Sequence, residues 1–314
     1  MPIPAQLHGR LTAPVIVSPM FLVSGPDLVV AACKSGFIGS FPSLNQRTTE
    51  GYAAWLSEIQ ERLSAQDAPY AVNLVVHKSN SRLQADLART VEHKVPVVIT
   101  SLGVVKEVID AVHSYGGLVF HDIIHLAHAR KAADAGVDGL IGVSAGAGGH
   151  AGTVNAFALV SEIRAFFPGT IILAGCMNTG SQVAAARMMG ADLAYMGTRF
   201  IATRESLAQP EFKTMITQAN AADIVYTPAI SGVFGNFLRP SIVAAGRDPT
   251  DMNPSHGGLS LEGEAKVWKD IWSAGQGSGG IRDIPPAAEL CARIATEHRA
   301  ALESAGAQAK EWTR

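Results

Sequence analysis

The sequence predicts an α/β fold: a (β/α)8 TIM barrel with an inserted segment between the eighth strand and the closing helix. Three observations predict it. Eight short β-branched runs alternate with longer segments whose apolar residues recur at i, i+3 and i+4. The short runs are apolar throughout, as strands are when a parallel sheet is covered on both faces. Glycine stands just beyond three of the helical segments, at Gly116, Gly136 and Gly190, where a residue at ease in the left-handed region stops a helix. An open doubly wound sheet usually has fewer strands, so the count favours closure.

The elements follow in order. Residues 14–17 make the first strand and lead through Ser18-Pro19-Met20 to a helix over 26–34. The second and third strands are 36–39 and 70–76, with a helix over 52–64 between them. Strands over 95–100, 117–120 and 139–143 follow, spaced by helices over 81–93, 104–114 and 127–135. Residues 170–174 and 193–196 complete the set, with helices over 156–166 and 181–189. The 206–281 segment shows no strand–helix alternation and is rich in Pro, Gly and Asn; a closing helix is expected over 285–305 and a frayed tail over 304–314. The body is therefore 1–205 with 282–305, and 206–281 is a lid, because inserted βα loops sit over the C-terminal face where barrel sites lie.

Composition bounds the function. Of 314 residues, 47% are apolar and 17% charged, which excludes disorder for the bulk of the chain. Twenty-five basic residues against 27 acidic ones give no electrostatic case for nucleic acid or an anionic membrane. Apolar runs fall far short of the roughly 20 residues a membrane span needs. The first residues carry no basic segment followed by an apolar one. Cys33, Cys176 and Cys291 form neither a CxxC pair nor a disulfide framework. The expectation is a cytoplasmic protein acting on a small molecule, with a homodimer through the inserted loops left open.

Two glycine turns close the last two strands, Ala174-Gly175-Cys176 and Met196-Gly197-Thr198-Arg199. Barrels often bind phosphate there, because glycine lets backbone N–H groups close on the anion. Thr198 adds a hydroxyl, and Arg199 or Arg204 would add charge. After the sixth strand, residues 142–152 hold five glycines in eleven positions around His150. Such a backbone approaches a ligand closely, and imidazole moves protons near neutral pH.

Competing patterns occupy the same stretch. Gly142-Val143-Ser144-Ala145-Gly146 fits a hydrolase elbow with Ser144 as nucleophile, but an elbow must launch a helix directly and the following glycines oppose that. Gly146-Ala147-Gly148-Gly149-His150-Ala151 fits a dinucleotide fingerprint, without the acidic residue at the end of the next strand. His121, Asp122, His125 and His128 lack the spacing of a convergent metal site, so no metal is expected.

These residues together resemble the nitronate monooxygenase (2-nitropropane dioxygenase) family. The resemblance is carried by 136–141, by Ala147-Gly148-Gly149-His150-Ala151-Gly152, by Ala174-Gly175 and Gly190-Ala191-Asp192, by 196–200, and by Trp272-Ser273-Ala274-Gly275-Gln276. It implies FMN at the barrel mouth. Ser18, Pro19 and Met20 would lie along the ring edge, and Asn73 would hydrogen-bond the ring or ribityl chain. Gly148, Gly149, Ala174, Gly175, Gly197 and Thr198 would hold the ribityl and phosphate. Trp272, Ser273 and Gln276 would cover the ring, and His150 matches the catalytic imidazole. Where relatives often carry a lysine that meets the flavin, this chain has Asp122; an acidic residue before the Gly-His loop is replaced by Val143 or Gly146, and a turn glycine by Cys176. The implied activity is FMN-dependent oxidation of alkyl nitronates or nitroalkanes with dioxygen. Alternatives are an NAD(P)H-dependent reductase of quinones or enoyl thioesters on the same fold, a flavin-free Ser144 hydrolase, and a non-catalytic binder of FMN or a phosphate ester.

Overall fold

A computed structural model describes residues 3–254 and 268–311. Residues 255–267 of the expected lid, like residues 1–2 and 312–314, lie outside the described residues. The strands of the barrel are β1 (Val15–Val17), β2 (Ser40–Pro42), β3 (Ala71–Val75), β4 (Val97–Ser101), β5 (Leu118–Ile123), β6 (Gly139–Val143), β8 (Thr170–Ala174) and β9 (Leu193–Met196). They form one parallel eight-stranded sheet in the order β1-β9-β8-β6-β5-β4-β3-β2. The ring closes where Val17 N–H donates to Ile38 O at 2.8 Å and Ile38 N–H donates to Val15 O at 3.0 Å.

Alternation within each strand divides two cores. Ile16, Ile38, Ala71, Ile99, Phe120, Ile141 and Ile172 pack inside the barrel. Their neighbours Val17, Val72, Val98, Val119, Leu140 and Ile171 face the surrounding helices. At the C-terminal strand ends the inward series carries Asn73, Ser101, Asp122 and Tyr195, so a largely apolar plug lies below a polar mouth.

The helices are α1 (Pro26–Lys34), α2 (Thr49–Arg62), α3 (Leu83–Glu92), α4 (Lys106–His113), α5 (Leu126–Asp134), α6 (Ala156–Arg164) and α7 (Gly180–Met188). The three glycine stops are left-handed, with φ of 82° at Gly116, 91° at Gly136 and 106° at Gly190. A capping box between Thr179 and Gln182 starts α7.

Asp192, beside the third stop, is fully buried. Its Oδ2 accepts from the Arg164 guanidinium and from the Ile171 N–H at 2.9 Å, tying β8 and β9 to α6. Asp192→Ala would strand that buried amide, and the expected loss is about 1–3 kcal/mol in chemical denaturation. No loss would mean that water replaces the carboxylate.

Three expectations need correction. The second strand begins at Ser40, not at 36, because Gly39 is pressed against α1: a Cβ there would lie 2.4 Å from Val29 O. The tail is not frayed among the described residues. The closing helix runs Ala287–Glu311, and its last turn, residues 307–311, is made of strong helix formers that follow Gly306. The 206–254 stretch is not without regular structure. It holds α9 (Pro210–Gln218), β10 (Ile224–Thr227), β11 (Gly235–Leu238) and α10 (Arg239–Ala244), after the short α8 (Thr198–Ile201). β10 and β11 join β7 (Gly149–His150) in an antiparallel sheet of their own. Among the described residues no helix is long and apolar enough to cross a membrane.

Candidate active site at the barrel mouth

A cavity of about 1190 Å³ opens over the C-terminal strand ends, with the returning 268–277 segment on one side. It is lined by Ser18, Pro19, Met20, Asn73, Asp122, Gly148, Gly149, His150, Ala174, Gly175, Gly197, Thr198, Trp272 and Ser273. Residues separated by up to 255 positions in the chain thus share one hollow. Gln276 does not line it. Its N–H donates to Gly146 O at 2.8 Å and its side-chain amide fills the space a Gly146 Cβ would need, so it braces the glycine loop from behind.

His150 is held by strand pairing. β7 pairs with β11 so that His150 faces Gly235 and Gly149 faces Asn236. The buried Asn236 amide donates to Ala147 O at 2.7 Å, and Tyr226 Oη donates to Ala151 O at 3.1 Å. Trp268 packs edge-on against the imidazole, ring centres 5.7 Å apart. His150 Nε2 lies 3.3 Å from Ser231 Oγ, and Ser231 donates its own proton to Val233 O at 3.0 Å. A hydroxyl has one proton, so Nε2 is the donor to Ser231, and in the neutral ring the lone pair is on Nδ1.

The glycine turns are close approaches. A Cβ on Gly175 (φ 130°) would lie 2.4 Å from Ser144 Oγ, and one on Gly197 would lie 2.6 Å from Ser18 Oγ. Gly275 N–H donates to Thr198 Oγ1 at 2.9 Å, which draws the return segment over the eighth-strand turn. The Asn178 amide, from the seventh-strand turn, donates to Gly277 O beside it. Among the described residues the Thr198 and Arg199 N–H groups, in the first turn of α8, have no protein acceptor.

Arg199 and Arg204 do not supply charge here. The Arg199 guanidinium is buried against Asp283, donating to its carboxylate at 2.7 Å, and neither arginine lines the cavity. The turn therefore offers backbone donors and a hydroxyl without a cation. Asn73 spends its amide N–H groups on Ile99 O (3.2 Å) and Ser101 Oγ (2.7 Å), which leaves its carbonyl oxygen as the atom to meet a ligand. Trp272 stacks on Phe212 with centroids 4.9 Å apart and belongs to the wall of the cavity.

His121 points away from the barrel axis, bonded to Thr100 at 2.7 Å, and burial pushes its imidazole down to about 4. His125 and His128 pack against each other at a tilt of 36°, ring centres 3.7 Å apart. Among the described residues no group of three or more His, Cys, Asp or Glu is arranged to hold a metal. Ser144 is buried and donates to Ala174 O at 2.7 Å, and α6 starts only at Ala156; the hydroxyl is a strap between strands, without the exposure of an elbow nucleophile.

Sequence reasoning missed Tyr195, Ser231 and Trp268. Tyr195 had a signal, being a polar residue ending an apolar strand. Ser231 and Trp268 lie in a segment with no periodicity, and the pairing of β11 with β7 brings them to His150.

Fold and cavity define a protein of the (β/α)8 barrel class whose C-terminal mouth gathers one imidazole and a set of glycine turns. The family model "Nitronate monooxygenase" matches residues 6–246. The chain belongs to the nitronate monooxygenase family and is an oxidoreductase. A nitronate monooxygenase from Paraburkholderia phytofirmans is 27% identical over 92% of this chain and 93% of its own length. A (3aS,4S,5R,7aS)-5-hydroxy-7a-methyl-1-oxo-octahydro-1H-indene-4-carboxyl-CoA dehydrogenase from Rhodococcus jostii is 28% identical over 73% of this chain and 64% of its own. Among solved structures, a nitroalkane oxidase from Streptomyces ansochromogenes shares the fold with a TM-score of 0.83 at 23% identity, covering 96% of this chain and 99% of that one. FabK from Thermotoga maritima does so with 0.80 at 24%, covering 96% and 97%.

Proposed function

We propose that the chain binds FMN in the barrel mouth and oxidises alkyl nitronates or nitroalkanes with dioxygen, with His150 as the acid–base group. The observation that carries this reading is that His150 and the Gly175 and Gly197 turns line a single cavity. At about 1190 Å³ that cavity exceeds the roughly 300–1,000 Å³ usual for one small ligand, which suits a cofactor and a substrate together.

The residues present fit the group. Cβ-free turns at Gly175 and Gly197 and acceptor-free N–H groups at Thr198 and Arg199 suit a phosphate. Ser18, Pro19, Met20, Asn73 and Asp122 would meet the ring, with Gly148, Gly149 and Ala174 along the ribityl chain. Trp272 and Ser273 would close the mouth. A flavin held there would supply the redox chemistry between substrate and dioxygen. His150 would take the α-carbon proton of a neutral nitroalkane at Nδ1, while Ser231 holds the ring through Nε2. With a preformed nitronate that transfer is unnecessary, and only the ring protonated at Nδ1 would donate a hydrogen bond to the nitronate oxygens. The 206–281 segment would act as the lid of a body made of 1–205 and 282–305.

Two measurements test this. The purified protein is expected to be yellow, and its flavin to bleach anaerobically with a nitronate and not with NADH. Rapid bleaching by NADH would assign the NAD(P)H reductase instead, and a colourless protein that hydrolyses esters would revive Ser144. Gly175→Ala forces a side chain onto Ser144 Oγ at a left-handed position. It is expected to weaken FMN binding at least about tenfold, some 1.4 kcal/mol, by equilibrium titration. Unchanged affinity would remove that turn from the phosphate site.

A further inference from the structure

Asp122 ends β5 on its inward side, at the floor of the cavity. Its carboxyl has a short and one-sided set of partners. Asn73 Nδ2 donates to Ser101 Oγ at 2.7 Å, and Ser101 passes its single proton to Asp122 Oδ2 at 2.6 Å. The chain of donors ends there. Oδ1 is sealed from solvent and has no hydrogen-bond partner among the described residues.

The groups packed around it do not favour a charge. β3 and β4 contribute the neutral Asn73 and Ser101, and β6 contributes the apolar Val143. From β9, Tyr195 is the titratable group that feels the Asp122 charge, and burial holds it in its neutral phenol form. His121, next in the chain, turns to the other face of the sheet and bonds Thr100. No cation enters the balance: burial pushes the Asp122 carboxyl up to about 6 from an ordinary 3.8, and the Ser101 hydroxyl opposes it. A carboxylate with a sealed, unpaired oxygen is expensive, and its remaining contact with water lies on the cavity side.

We propose that Asp122 takes up a proton when the mouth is filled, so that cofactor binding in this chain is coupled to neutralisation of a floor carboxyl. The inference rests on the FMN reading. A ring laid over the mouth removes the water that still solvates the carboxylate and leaves the neutral acid as the favoured form. The sign follows from linkage. Binding raises the affinity of Asp122 for its proton, so the protonated protein binds the ring better. Cofactor affinity is then level on the acid side of the free-protein midpoint and falls above it, by at most tenfold per pH unit, until the loaded-protein midpoint is passed.

The test is the dissociation constant of FMN for wild type and Asp122→Asn across pH 5.5–8.5. The FMN phosphate and every other group besides Asp122 are common to both proteins, so the ratio of the two constants isolates Asp122. The ratio of wild type to variant is expected to rise at least threefold between pH 6 and pH 8. A smaller rise overturns the proposal. Should the variant not fold, the carboxyl 13C resonance of Asp122 in the wild type, assigned by its displacement in Ser101→Ala, answers the same question. Its titration midpoint is expected to move up when FMN is added, and an unmoved midpoint overturns the proposal. Failure of the wild type to bind FMN at any pH would overturn the cofactor reading and this proposal together. Tight binding with a level ratio would overturn this proposal alone.

Discussion

Replacing His150 with asparagine is expected to lower turnover of neutral nitroalkanes by roughly 10²–10⁴-fold, the usual contribution of a positioned general base. Preformed nitronates should lose no more than about tenfold. Asparagine keeps a polar group near Ser231 but cannot accept a proton from carbon, so the two substrate forms separate proton transfer from binding. The comparison is made on one protein preparation with each substrate supplied either as the nitro form or as its pre-ionised anion. Equal losses on both forms would reduce His150 to a hydrogen-bond donor, and no loss on either would remove it from the chemistry. Serine at 231 predicts the finer behaviour. Because its proton is committed to Val233 O, it can only receive from Nε2, so Ser231→Ala should disturb the pH profile of nitroalkane turnover more than substrate affinity.

The largest expected effect on stability is at Gly180, the first residue of α7. A Cβ there would lie 2.1 Å from Ile294 O and 2.2 Å from His298 N, both backbone atoms of the closing helix. The Gly180 N–H also donates to Glu297 at 2.8 Å, so helix and turn are fastened at the same spot. Backbone cannot swing aside as a side chain can. Gly180→Ala is therefore expected to cost roughly 4 kcal/mol, in the range reserved for severe overpacking, and to lower the unfolding temperature by on the order of 10 °C. A near-wild-type melt would show that the closing helix can retreat without loss.

What the chain revealed in advance follows from which physical signals are local. Strands such as Val97–Ser101 and Thr170–Ala174 are read easily because burial on both faces makes their middle residues apolar and β-branched or leucine. The helix stops are read because left-handed backbone selects glycine. The mouth residues Asn73, Asp122 and Thr198 are polar groups at the ends of apolar runs, and the cavity does gather them. Other features depend on distant pairing. The two-residue strand Gly149–His150 has no periodicity of its own and exists because β11 lies beside it. Arg199 looked like a phosphate ligand because it follows a glycine turn, yet Asp283, more than eighty positions on, claims its guanidinium. Gln276 sits in the most recognisable of the late motifs and still faces the back of the glycine loop.

The strand carrying His150 comes from the loop after β6, yet it pairs with β11 of the 206–254 stretch, which lines the cavity through Tyr226 and Phe234. The place of the imidazole is thus tied to the place of that stretch. Exchanging the stretch between family members would shift the His150 ring along with the shape of the entrance. Divergence in this lineage then alters what enters the mouth and where the imidazole sits in the same stroke.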